Sequence, residues 1–427
     1  MRKMKDSGIE WIGEIPEEWK ICKLKRVANI LTGSTPSKKN DCSYYSKENG
    51  YPWIKAEDLG FSNSISKTTE YLTDNGAKEG RLFPQNTVYV CCIASIGKTG
   101  FSSEVASCNQ QINALIFNNM FWKYGYYLTV SQESEYILNA SGNVMKILNS
   151  EKQSNLICTV PPLTEQHKIA AFLDHKCSEI DSVIEKTKAT IEEYKSLKQS
   201  VITQAVTKGI RKGRKMKDSR IEWIGEIPEE WIVSRVKYVS DFQPFCDTSH
   251  LSNDSIITYT PMENIKNGYY IDNKAPFGMV ASSLTPYCEG DIVIAKVTPC
   301  FENGNISIMN NLSSGFGMGS SELFVVRPKI MLTKYLFYWL QNKQFISIAC
   351  STMTGTGGLK RVSPYFFKNS PICLPDNDEQ KEISTYLDEK CTAIDTLIAQ
   401  KEQLLTELES YKKSVIYEYV TGKKETI

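Results

Sequence analysis

The sequence predicts an α+β protein with two globular domains of mixed helix and sheet, separated by two long antiparallel coiled-coil spacer helices and related by a pseudo-twofold internal repeat. Three observations predict this organisation. A short leader occurs twice, a long helical pattern occurs twice, and strand-like runs separated by turn residues fill each interval. A chain of 427 residues is long enough for two such domains in addition to the helices.

The leader is the closest repeat in the sequence. Residues 4–19 read MKDSGIEWIGEIPEEW, and residues 216–231 differ from them only where Arg220 replaces Gly8. Each copy places tryptophan and isoleucine among glutamates, which indicates a short acidic segment with an apolar side. Two interpretations remain open: a strap packed on its own domain, or a docking surface for a partner protein.

A long helix is predicted in each copy, at 165–206 and at 379–420. Apolar residues recur there in alternating steps of three and four, the spacing of a coiled-coil seam, and neither stretch contains proline or glycine. About forty residues at about 1.5 Å each give a rod of about 60 Å. Two such helices in one chain most simply pack on each other. The residues predicted to form this packing seam are Leu173, Ile180, Ile184, Ile191, Tyr194 and Val201 in the first helix, and Leu387, Ile394, Ile398, Leu405, Leu408 and Val415 in the second.

Helix boundaries divide the chain into four segments. Pro161 and Pro162 precede the first helix, Pro375 precedes the second, and Gly209 and Gly422 follow their last turns. The predicted segments are the leader and first globular domain (1–160), the first long helix (161–208), the linker with the repeated leader and second globular domain (209–374), and the second long helix with a tail (375–427).

Composition excludes several classes of protein. The formal net charge is +1, so a nucleic-acid surface must come from a local cluster of Lys and Arg. An odd count of 13 cysteines without a CxxC pair favours reduced thiols and a cytoplasmic protein. Residues 1–18 carry charges throughout, unlike a signal peptide. No apolar run approaches membrane-spanning length, so we expect no membrane segment.

The intervals between leader and helix, the first head (20–160) and the second head (232–374), differ much more than the frame around them. β-branched and aromatic runs alternate with Gly, Asn and Ser turns, which predicts twisted sheet, and 124–138 and 333–349 are each predicted as one helix. A symmetric frame with unlike heads fits an asymmetric, two-part target. On DNA, two rigidly spaced heads contact half-sites about one helical turn apart, and the long helices would act as a ruler.

Basic and amide side chains indicate where DNA contacts would lie. Asn and Gln can pair bidentately with adenine, Lys can pair with guanine, and basic residues neutralise phosphates. For the linker at 208–217 a solvated tether remains an alternative, and for each single residue so does an ordinary surface role. The basic loops at 142–146 and 355–361 are the stronger indication because they occur in both heads. The candidates are Lys38, Lys39, Lys98, Asn109, Gln110, Gln111 and Lys146 in the first head, Arg211 and Lys212 in the linker, and Lys296, Thr298, Asn303, Lys360 and Arg361 in the second head.

No motif for covalent chemistry fits the sequence. Lys98 follows a strand-like run and Gly97, but the upstream glycine that a phosphate loop needs is Cys92 here. The glycine-rich stretch 315–319 is followed by no helical pattern, and the acidic residues at 376–379 have the wrong spacing for a nuclease. With 3 histidines, neither a histidine-based triad nor a zinc site is indicated. We expect no catalytic residue, metal or cofactor in this chain.

Several short motifs follow the first leader in a fixed order: KLKRVANILTGSTPS (23–37), YPWI (51–54), LFP (82–84), IGK (96–98), CNQQ (108–111) and PPLTEQ (161–166). Taken in this order, they resemble the specificity subunit of Type I restriction-modification systems. The resemblance covers the whole chain and departs in the second half, where LPDNDEQ (374–380) replaces PPLTEQ and the amide run Asn109–Gln111 has no counterpart near Gly319.

The resemblance implies two target-recognition domains that read double-stranded DNA. It also implies a frame that recruits two methylation subunits and, through this methyltransferase core, restriction and translocase subunits. Adenine N6 methylation with S-adenosylmethionine, and translocation and cleavage with ATP and Mg, would belong to those partners, and this chain would be non-catalytic. Two other functions remain open: a coiled-coil scaffold or adaptor whose heads bind proteins, and the specificity module of a system that only modifies DNA.

Overall fold

The computed structural model describes residues 2–37, 43–60, 64–65, 67–142, 145–356 and 358–426. The chain forms two compact units. The first unit comprises Met1–Thr187 together with Gln403–Ile427, and the second comprises Lys188–Glu402. Each long helix therefore begins in one unit and ends in the other, so each repeat contributes structure to both units.

In the first unit, short strands and helices lie between the leader and the first long helix. The strands are β1 (Met4–Asp6), β2 (Glu14–Pro16), β3 (Lys20–Lys23), β4 (Ala28–Thr32), β5 (Tyr45–Ser46), β6 (Tyr51–Ile54), β7 (Tyr71–Leu72), β8 (Leu82–Phe83), β9 (Thr87–Cys91), β10 (Thr99–Ser102), β11 (Ala106–Cys108), β12 (Ile112–Phe117) and β13 (Ile157–Val160). The helices are α1 (Asp74–Glu79), α2 (Trp122–Ser131), α3 (Glu133–Asn139), α4 (Ser150–Ser154) and the long α5 (Leu163–Lys208), with a 3-10 turn at Leu24–Arg26.

Two sheets build the first head. One has the order β10-β9-β12-β4, and the other has the order β5-β7-β6-β11-β8, with β11 parallel to β6. Successive side chains of β9 point to opposite faces. Val88 and Val90 therefore join the core that contains α2 and α5, whereas Tyr89 and Cys91 join the core between the two sheets. This double burial fixes β9 and β12 as the centre of the head.

The second unit repeats this plan with other lengths. Its strands are β14 (Met216–Asp218), β15 (Glu226–Pro228), β16 (Ile232–Arg235), β17 (Ser240–Phe242), β18 (Ile256–Thr260), β19 (Asn273–Pro276), β20 (Thr285–Cys288), β21 (Ile292–Ala295), β22 (Ile306–Ile308), β23 (Phe316–Gly319), β24 (Leu323–Pro328) and β25 (Pro371–Leu374). Its helices are α6 (Val236–Val239), α7 (Thr333–Leu340), α8 (Lys343–Ser351), α9 (Pro364–Asn369) and the long α10 (Asn377–Val420), with 3-10 turns at Met262–Asn264, Phe277–Met279 and Ser313–Gly315.

The sheets of the second head correspond to those of the first. One has the order β17-β24-β21-β22, and the other has the order β19-β18-β23-β20, with β23 parallel to β18 as β11 is to β6. Ile292 and Ile294 of β21 face the core that contains α7 and α10, and Val293 faces the core between the sheets. β21 and β24 thus take the places of β9 and β12.

The two long helices run antiparallel within each unit. In the first unit, Lys412 Nζ lies 2.7 Å from Asp181 Oδ1, and the rings of Phe172 and Tyr419 are 4.3 Å apart. In the second, Lys198 pairs with Asp395 at 2.7 Å, and residues beyond the end of α5 meet the start of α10. The predicted α+β class with two long antiparallel helices is confirmed.

The predicted seam of these helices lies against protein rather than in solvent. Its buried members are Leu173, Ile180, Ile184, Ile191, Leu387, Ile394 and Val415. Its half-buried members are Tyr194, Val201, Ile398, Leu405 and Leu408. The end of each helix enters a core built mostly by the other repeat, because Val420 joins the first unit's core and Val206 joins the second's. Among the helices that the structure describes, none is long and apolar enough to cross a membrane.

Each head contains two short helices where the sequence predicts one, so that prediction is wrong for both heads. α2 ends before Gln132, a buried residue whose amide donates to the carbonyl of Ile157 at 2.7 Å. α7 ends before Gln341, and the Asn342 side chain then accepts from the Gln344 N–H to begin α8. Polar side chains used for tertiary contacts and capping break the helical run at both places.

Each leader packs on its own unit. Ile12, Ile15 and Trp19 are buried in the first, as are the corresponding Ile224, Ile227 and Trp231 in the second. Short antiparallel pairs, β1 with β2 and β14 with β15, fold each leader back on itself. This is the arrangement that the strap interpretation expects.

A three-residue contact, the clasp, holds the first leader to the start of α5. Arg2 forms a bidentate ion pair with Glu165, and Trp19 Nε1 donates to Glu165 Oε2 at 2.9 Å. The guanidinium also lies 5.6 Å from the Trp19 ring centroid. The carboxylate sits in the first turn of the helix, where the positive end of the helix dipole favours it.

The second unit repeats this clasp. Arg214 forms a bidentate ion pair with Glu379, Trp231 Nε1 donates to Glu379 Oε2 at 2.8 Å, and the guanidinium lies 5.7 Å from the Trp231 ring. The second clasp is the more buried, since the Glu379 side chain is 2% exposed whereas that of Glu165 is 19% exposed. The frame is therefore duplicated at the level of individual hydrogen bonds.

Candidate nucleic-acid interface

The loops that carry the predicted contacts of the first head meet at one end of its central sheet. The Cys92 N–H donates to the Gln111 carbonyl at 2.8 Å, and the Cys91 N–H donates to the Lys98 carbonyl at 2.9 Å. The Leu148 N–H donates to the Cys92 carbonyl at 2.9 Å, which brings the basic loop before Leu148 to the same place. We call this group of loops (92–98, 109–111 and 145–148) the first edge.

The amide run of the first edge is a tight turn between β11 and β12. The Asn109 side chain accepts from the Gln111 N–H at 3.0 Å and donates to Gln111 Oε1 at 3.3 Å. Gln110 is exposed and accepts from the hydroxyl of Thr35. A Cβ at Gly33 would lie 2.4 Å from the Asn109 carbonyl, so only glycine lets the chain pass this turn. The turn presents amide groups from a rigid backbone.

Two lysines flank this turn. Lys98 and Lys146 are both exposed, which suits long-range attraction to phosphates. The loop before Lys146 turns at Gly142, where φ is +140° and a Cβ would lie 2.1 Å from the Met145 carbonyl. The predicted candidates Lys38 and Lys39 lie outside the described residues.

The second head places its predicted contacts at the corresponding end of its sheet. The Thr298 N–H donates to the Lys360 carbonyl at 3.0 Å, and the Val362 N–H donates to the Lys296 carbonyl at 2.9 Å. Thr298 Oγ1 also accepts from the Lys360 N–H at 2.9 Å. Asn303 is exposed in the loop that follows Thr298. These loops (296–303, 320–322 and 358–361) form the second edge.

A carboxylate organises the basic residues of the second edge. Arg361 makes a bidentate ion pair with Glu322 at 2.7 and 2.9 Å, and Lys296 Nζ lies 3.8 Å from the same carboxylate. The hydrogen bond from Arg361 lowers the pKa of Glu322 below its usual range. Glu322 therefore stays ionised, orients the guanidinium and compensates part of the positive charge at this edge.

Glu322 is a residue that sequence reasoning missed. It occupies the same turn as Gln111: the Asn109 N–H donates to the Ile54 carbonyl, and the Ser320 N–H donates to the Thr260 carbonyl in the same way. The amide run thus has a positional counterpart after Gly319, although the side chains differ. A search for basic and amide residues does not select an acidic residue. The shared pattern of a strand, a short turn and a second strand could nevertheless have aligned Glu322 with Gln111.

The basic loops at 142–146 and 355–361 also correspond. Gly355 has φ of +150°, and a Cβ there would lie 2.2 Å from the Leu359 carbonyl, as at Gly142. Ile147 and Arg361 each form β-bridges with the loop after the central strand, Ile147 with Ile93 and Arg361 with Val297. Lys146 and Lys360 therefore hold equivalent positions, which is the strongest agreement between the two edges.

The linker residues contact the start of the second long helix. Arg211 forms a bidentate ion pair with Glu382 of α10 at 2.8 and 2.9 Å, so a carboxylate already balances its charge. Lys212 beside it is exposed. Arg214, which was not among the candidates, belongs to the second clasp. This linker ties the repeated leader to the helix.

One group of possible metal ligands occurs among the described residues, formed by Cys246, Cys288 and Asp291. Of these three residues, Cys246 lines a cavity of about 550 Å³ whose other walls are largely apolar side chains. Arg327 donates two hydrogen bonds to Asp291 at 2.7 and 2.8 Å, so a fixed cation already pairs with this carboxylate. Burial raises the pKa of the Cys246 thiol to about 12, which keeps it protonated. The group is better suited to packing than to binding a metal ion.

Comparisons with known proteins match both halves of the chain. Residues 16–193 and 209–410 match the family described as Type I restriction modification DNA specificity domain. The chain is similar to the Type I restriction enzyme EcoAI specificity subunit of Escherichia coli, with 33% identity over 197 residues. That match covers 44% of this chain and 32% of the relative, so it spans about a third of that relative's length.

A second relative and a solved structure match nearly the whole chain. The Type I restriction enzyme MjaVIII specificity subunit of Methanocaldococcus jannaschii is 24% identical over 96% of this chain and 93% of its own. A solved chain, from work on complex assembly and conformational transition of the type I R-M system, has a TM-score of 0.67 and 15% identity. It covers 96% of this chain and 99% of its own, which shows that the fold is shared over the full length.

Proposed function

The chain belongs to the family of Type I restriction modification DNA specificity domains, and from that premise we propose that it selects the DNA sequence on which a Type I restriction-modification complex acts. One observation carries the proposal. The two heads hold exposed loops in equivalent places on an equivalent sheet, and the loops differ in chemistry, with Gln111 in one and the Glu322–Arg361 pair in the other. Two unlike edges on a repeated frame suit a bipartite, asymmetric target.

In this proposal each head enters the major groove at one half-site. Lys98, Lys146 and Lys360 neutralise phosphates and set position. The amide turn of the first edge reads adenine. Arg361 is held by Glu322 through Nε and Nη2, and it reads guanine through the Nη1–H and the second Nη2–H, which this ion pair does not use. The long helices, which each belong to both units, fix the number of unread bases between the half-sites.

The partners follow from the same proposal. Two copies of the frame offer two equivalent docking places, which suits two methylation subunits, with restriction and translocase subunits joining through this methyltransferase core. The chain itself is non-catalytic. S-adenosylmethionine for adenine N6 methylation, and ATP with Mg for translocation and cleavage, are used by the partners. The adenine to be methylated is flipped out of the duplex into the methylation subunit.

Methylation mapping tests this function. Genomic DNA is sequenced for N6-methyladenine from cells that carry this chain with its cognate methylation subunit and from cells that carry the methylation subunit alone. We expect one bipartite motif with a fixed gap, present only when this chain is present. A methylation pattern that does not depend on the chain, with both proteins folded, would contradict the proposal and favour the scaffold alternative.

A further inference from the structure

Two cysteines face each other across the strand pair that closes the first head. β3 and β13 are antiparallel, and Cys22 is directly opposite Cys158 in their register. Their Sγ atoms are 3.8 Å apart. Two residues along, the Leu24 N–H donates to the Leu156 carbonyl, so the cysteines occupy a hydrogen-bonded pair position with Cα atoms about 5.5 Å apart. That separation is within the range of about 4.4–6.8 Å that a disulfide spans.

The two thiols differ in exposure and in pKa. Cys22 is half-buried and Cys158 is fully buried. The hydrogen bond from the Cys158 thiol lowers the pKa of Cys22 to about 7, against the effect of burial, and the charge of Arg26 acts in the same direction. The same hydrogen bond, with burial, raises the pKa of Cys158. Cys22 is thus a reachable thiolate beside a protonated partner, the arrangement of an attacking thiol and a resolving thiol.

We propose that Cys22 and Cys158 form a reversible thiol–disulfide pair that reacts with low-molecular-weight disulfides. The Cys22 thiolate attacks one sulfur of the small disulfide, forms a mixed disulfide and releases one small thiolate. Cys158 gives its proton to that thiolate and attacks Cys22 Sγ, which releases the second small thiolate. The two protein thiols are oxidised and the small disulfide is reduced to two thiols; excess thiol reverses the exchange.

The position of the pair gives the reaction a local consequence. The cysteines are 136 residues apart, so the link closes a loop that contains most of the first head. Thr159, next to Cys158, donates to the Val420 carbonyl at 2.7 Å, which places the link where the head meets the end of α10. A cross-link over so long a loop restricts the unfolded chain and stabilises the folded one.

The equivalent strand pair of the second head does not carry two facing cysteines. In the equivalent strand pair, β16 with β25, the residues in the same register positions are Ser234 and Ile372. Cys373 lies one residue away, and burial raises its pKa to about 12. A disulfide across this strand pair is therefore expected in the first head alone.

Mass spectrometry of the intact, folded chain tests the proposal. The protein is incubated with oxidised glutathione, remaining thiols are blocked with N-ethylmaleimide, and the protein is digested with trypsin. We expect peptide 21–23 to be linked to peptide 153–168 and the link to disappear after treatment with dithiothreitol. Recovery of both peptides in the blocked form, including the case in which only other cysteines are oxidised, overturns the proposal.

A stability measurement with matched variants separates this link from other oxidation. Oxidation should raise the melting temperature of the first unit in the wild type, and Cys22→Ser should abolish that rise. Transferring the pair to the second head with Ser234→Cys and Ile372→Cys should give the second unit a rise of its own. A rise that persists in Cys22→Ser contradicts the assignment.

Discussion

The two clasps share the same side-chain contacts, whereas the two edges share only their backbone hydrogen bonds. The clasps of Arg2 with Glu165 and of Arg214 with Glu379 repeat the same ion pair, indole hydrogen bond and ring contact. The edges repeat the backbone hydrogen bonds of their loops but not the side chains. Contacts that hold a head to its helix are duplicated, whereas the groups that each head presents at its edge are not. The clasps and the side chains of the edges can therefore be altered separately.

The largest expected effect comes from breaking the more buried clasp. Glu379→Ala leaves Arg214, whose side chain is 10% exposed, with only the exposed Glu230 carboxylate at 3.4 Å. Removing one partner of a buried pair costs about 3–5 kcal/mol of the free energy of unfolding. The matched Glu165→Ala should cost about 1–3 kcal/mol, because Arg2 is 18% exposed and water replaces part of the interaction.

Urea unfolding, monitored by hydrogen exchange of peptides from each unit, measures the loss of unfolding free energy in both variants. Glu379→Ala should weaken the second unit and Glu165→Ala the first. A larger loss from Glu165→Ala would show that burial does not set the strength of the clasps.

The next effect concerns a tyrosine that holds the end of a long helix in each unit. The Tyr335 hydroxyl lies 3.1 Å from the Val206 carbonyl of α5, and the Tyr124 hydroxyl lies 3.0 Å from the Val420 carbonyl of α10. Carbonyls in a last helical turn lack an intrahelical partner. Tyr335→Phe should therefore cost about 1–3 kcal/mol in the free energy of unfolding of the second unit.

Tyr124→Phe should cost less, about 0.5–1.5 kcal/mol. Thr159 donates to the same Val420 carbonyl at 2.7 Å, whereas its counterpart in the second unit is Cys373, which has no hydroxyl. Chemical denaturation of the two variants measures these costs. Adding Thr159→Val to Tyr124→Phe should raise the loss of unfolding free energy to that of Tyr335→Phe. Equal costs for the two single variants would contradict this explanation.

Exchanging the residues at the shared turn tests the edges. Glu322→Gln removes the carboxylate that balances Arg361 and Lys296, so affinity for duplexes of unrelated sequence should rise about tenfold at low salt. The slope of log K against log salt should become steeper by about one. Gln111→Glu should lower affinity by a similar factor, because it adds an acid to the first edge.

These affinities are measured by fluorescence anisotropy with the chain assembled with its methylation subunits, between about 50 and 200 mM salt. Asp241→Asn serves as the control, because this carboxylate pairs with Lys329, which follows the end of β24 opposite to the turn that carries Glu322. Affinities that move no more than in the control would show that the edges do not approach DNA.

The smallest effect is expected between the long helices. Lys412 is 9% exposed and pairs with Asp181, whereas Lys198 is 17% exposed and pairs with the more exposed Asp395. Lys412→Ala should cost about 1 kcal/mol in the free energy of unfolding, and Lys198→Ala about 0.3 kcal/mol. Thermal unfolding at low and high salt checks both costs. Added salt should reduce the difference in unfolding free energy between the two variants, because it screens both ion pairs.

The local sequence pattern predicted the long helices and the leaders. The features that it missed depend on contacts between residues far apart in the sequence and on helix capping. The coiled-coil spacing of apolar residues predicted α5 and α10, and the repeated leaders located the start of each repeat. The breaks at Gln132 and Asn342 were not predictable from periodicity, because they depend on tertiary contacts and capping. The clasp of Arg2 was missed because its partner lies 163 residues away.

The candidate site was predictable in part for a similar reason. The loops that carry Lys146 and Lys360 stood out because each follows a glycine in a short basic run that occurs twice. Glu322 was missed because an acid is not a sign of DNA binding until its pairing with Arg361 is seen. The repeated glycine and lysine positions located the basic loops in the sequence, whereas the pairing of Glu322 with Arg361 could be seen only in the structure.

The most direct test of the central claim is methylation mapping with an altered first edge. Cells that carry the Gln111→Glu variant and the methylation subunit are compared with cells that carry the wild-type chain. The account predicts that one half of the bipartite motif becomes relaxed or altered, while the other half and the gap are unchanged. A change in both halves, or in neither half with the variant folded and assembled, would contradict independent reading by the two heads.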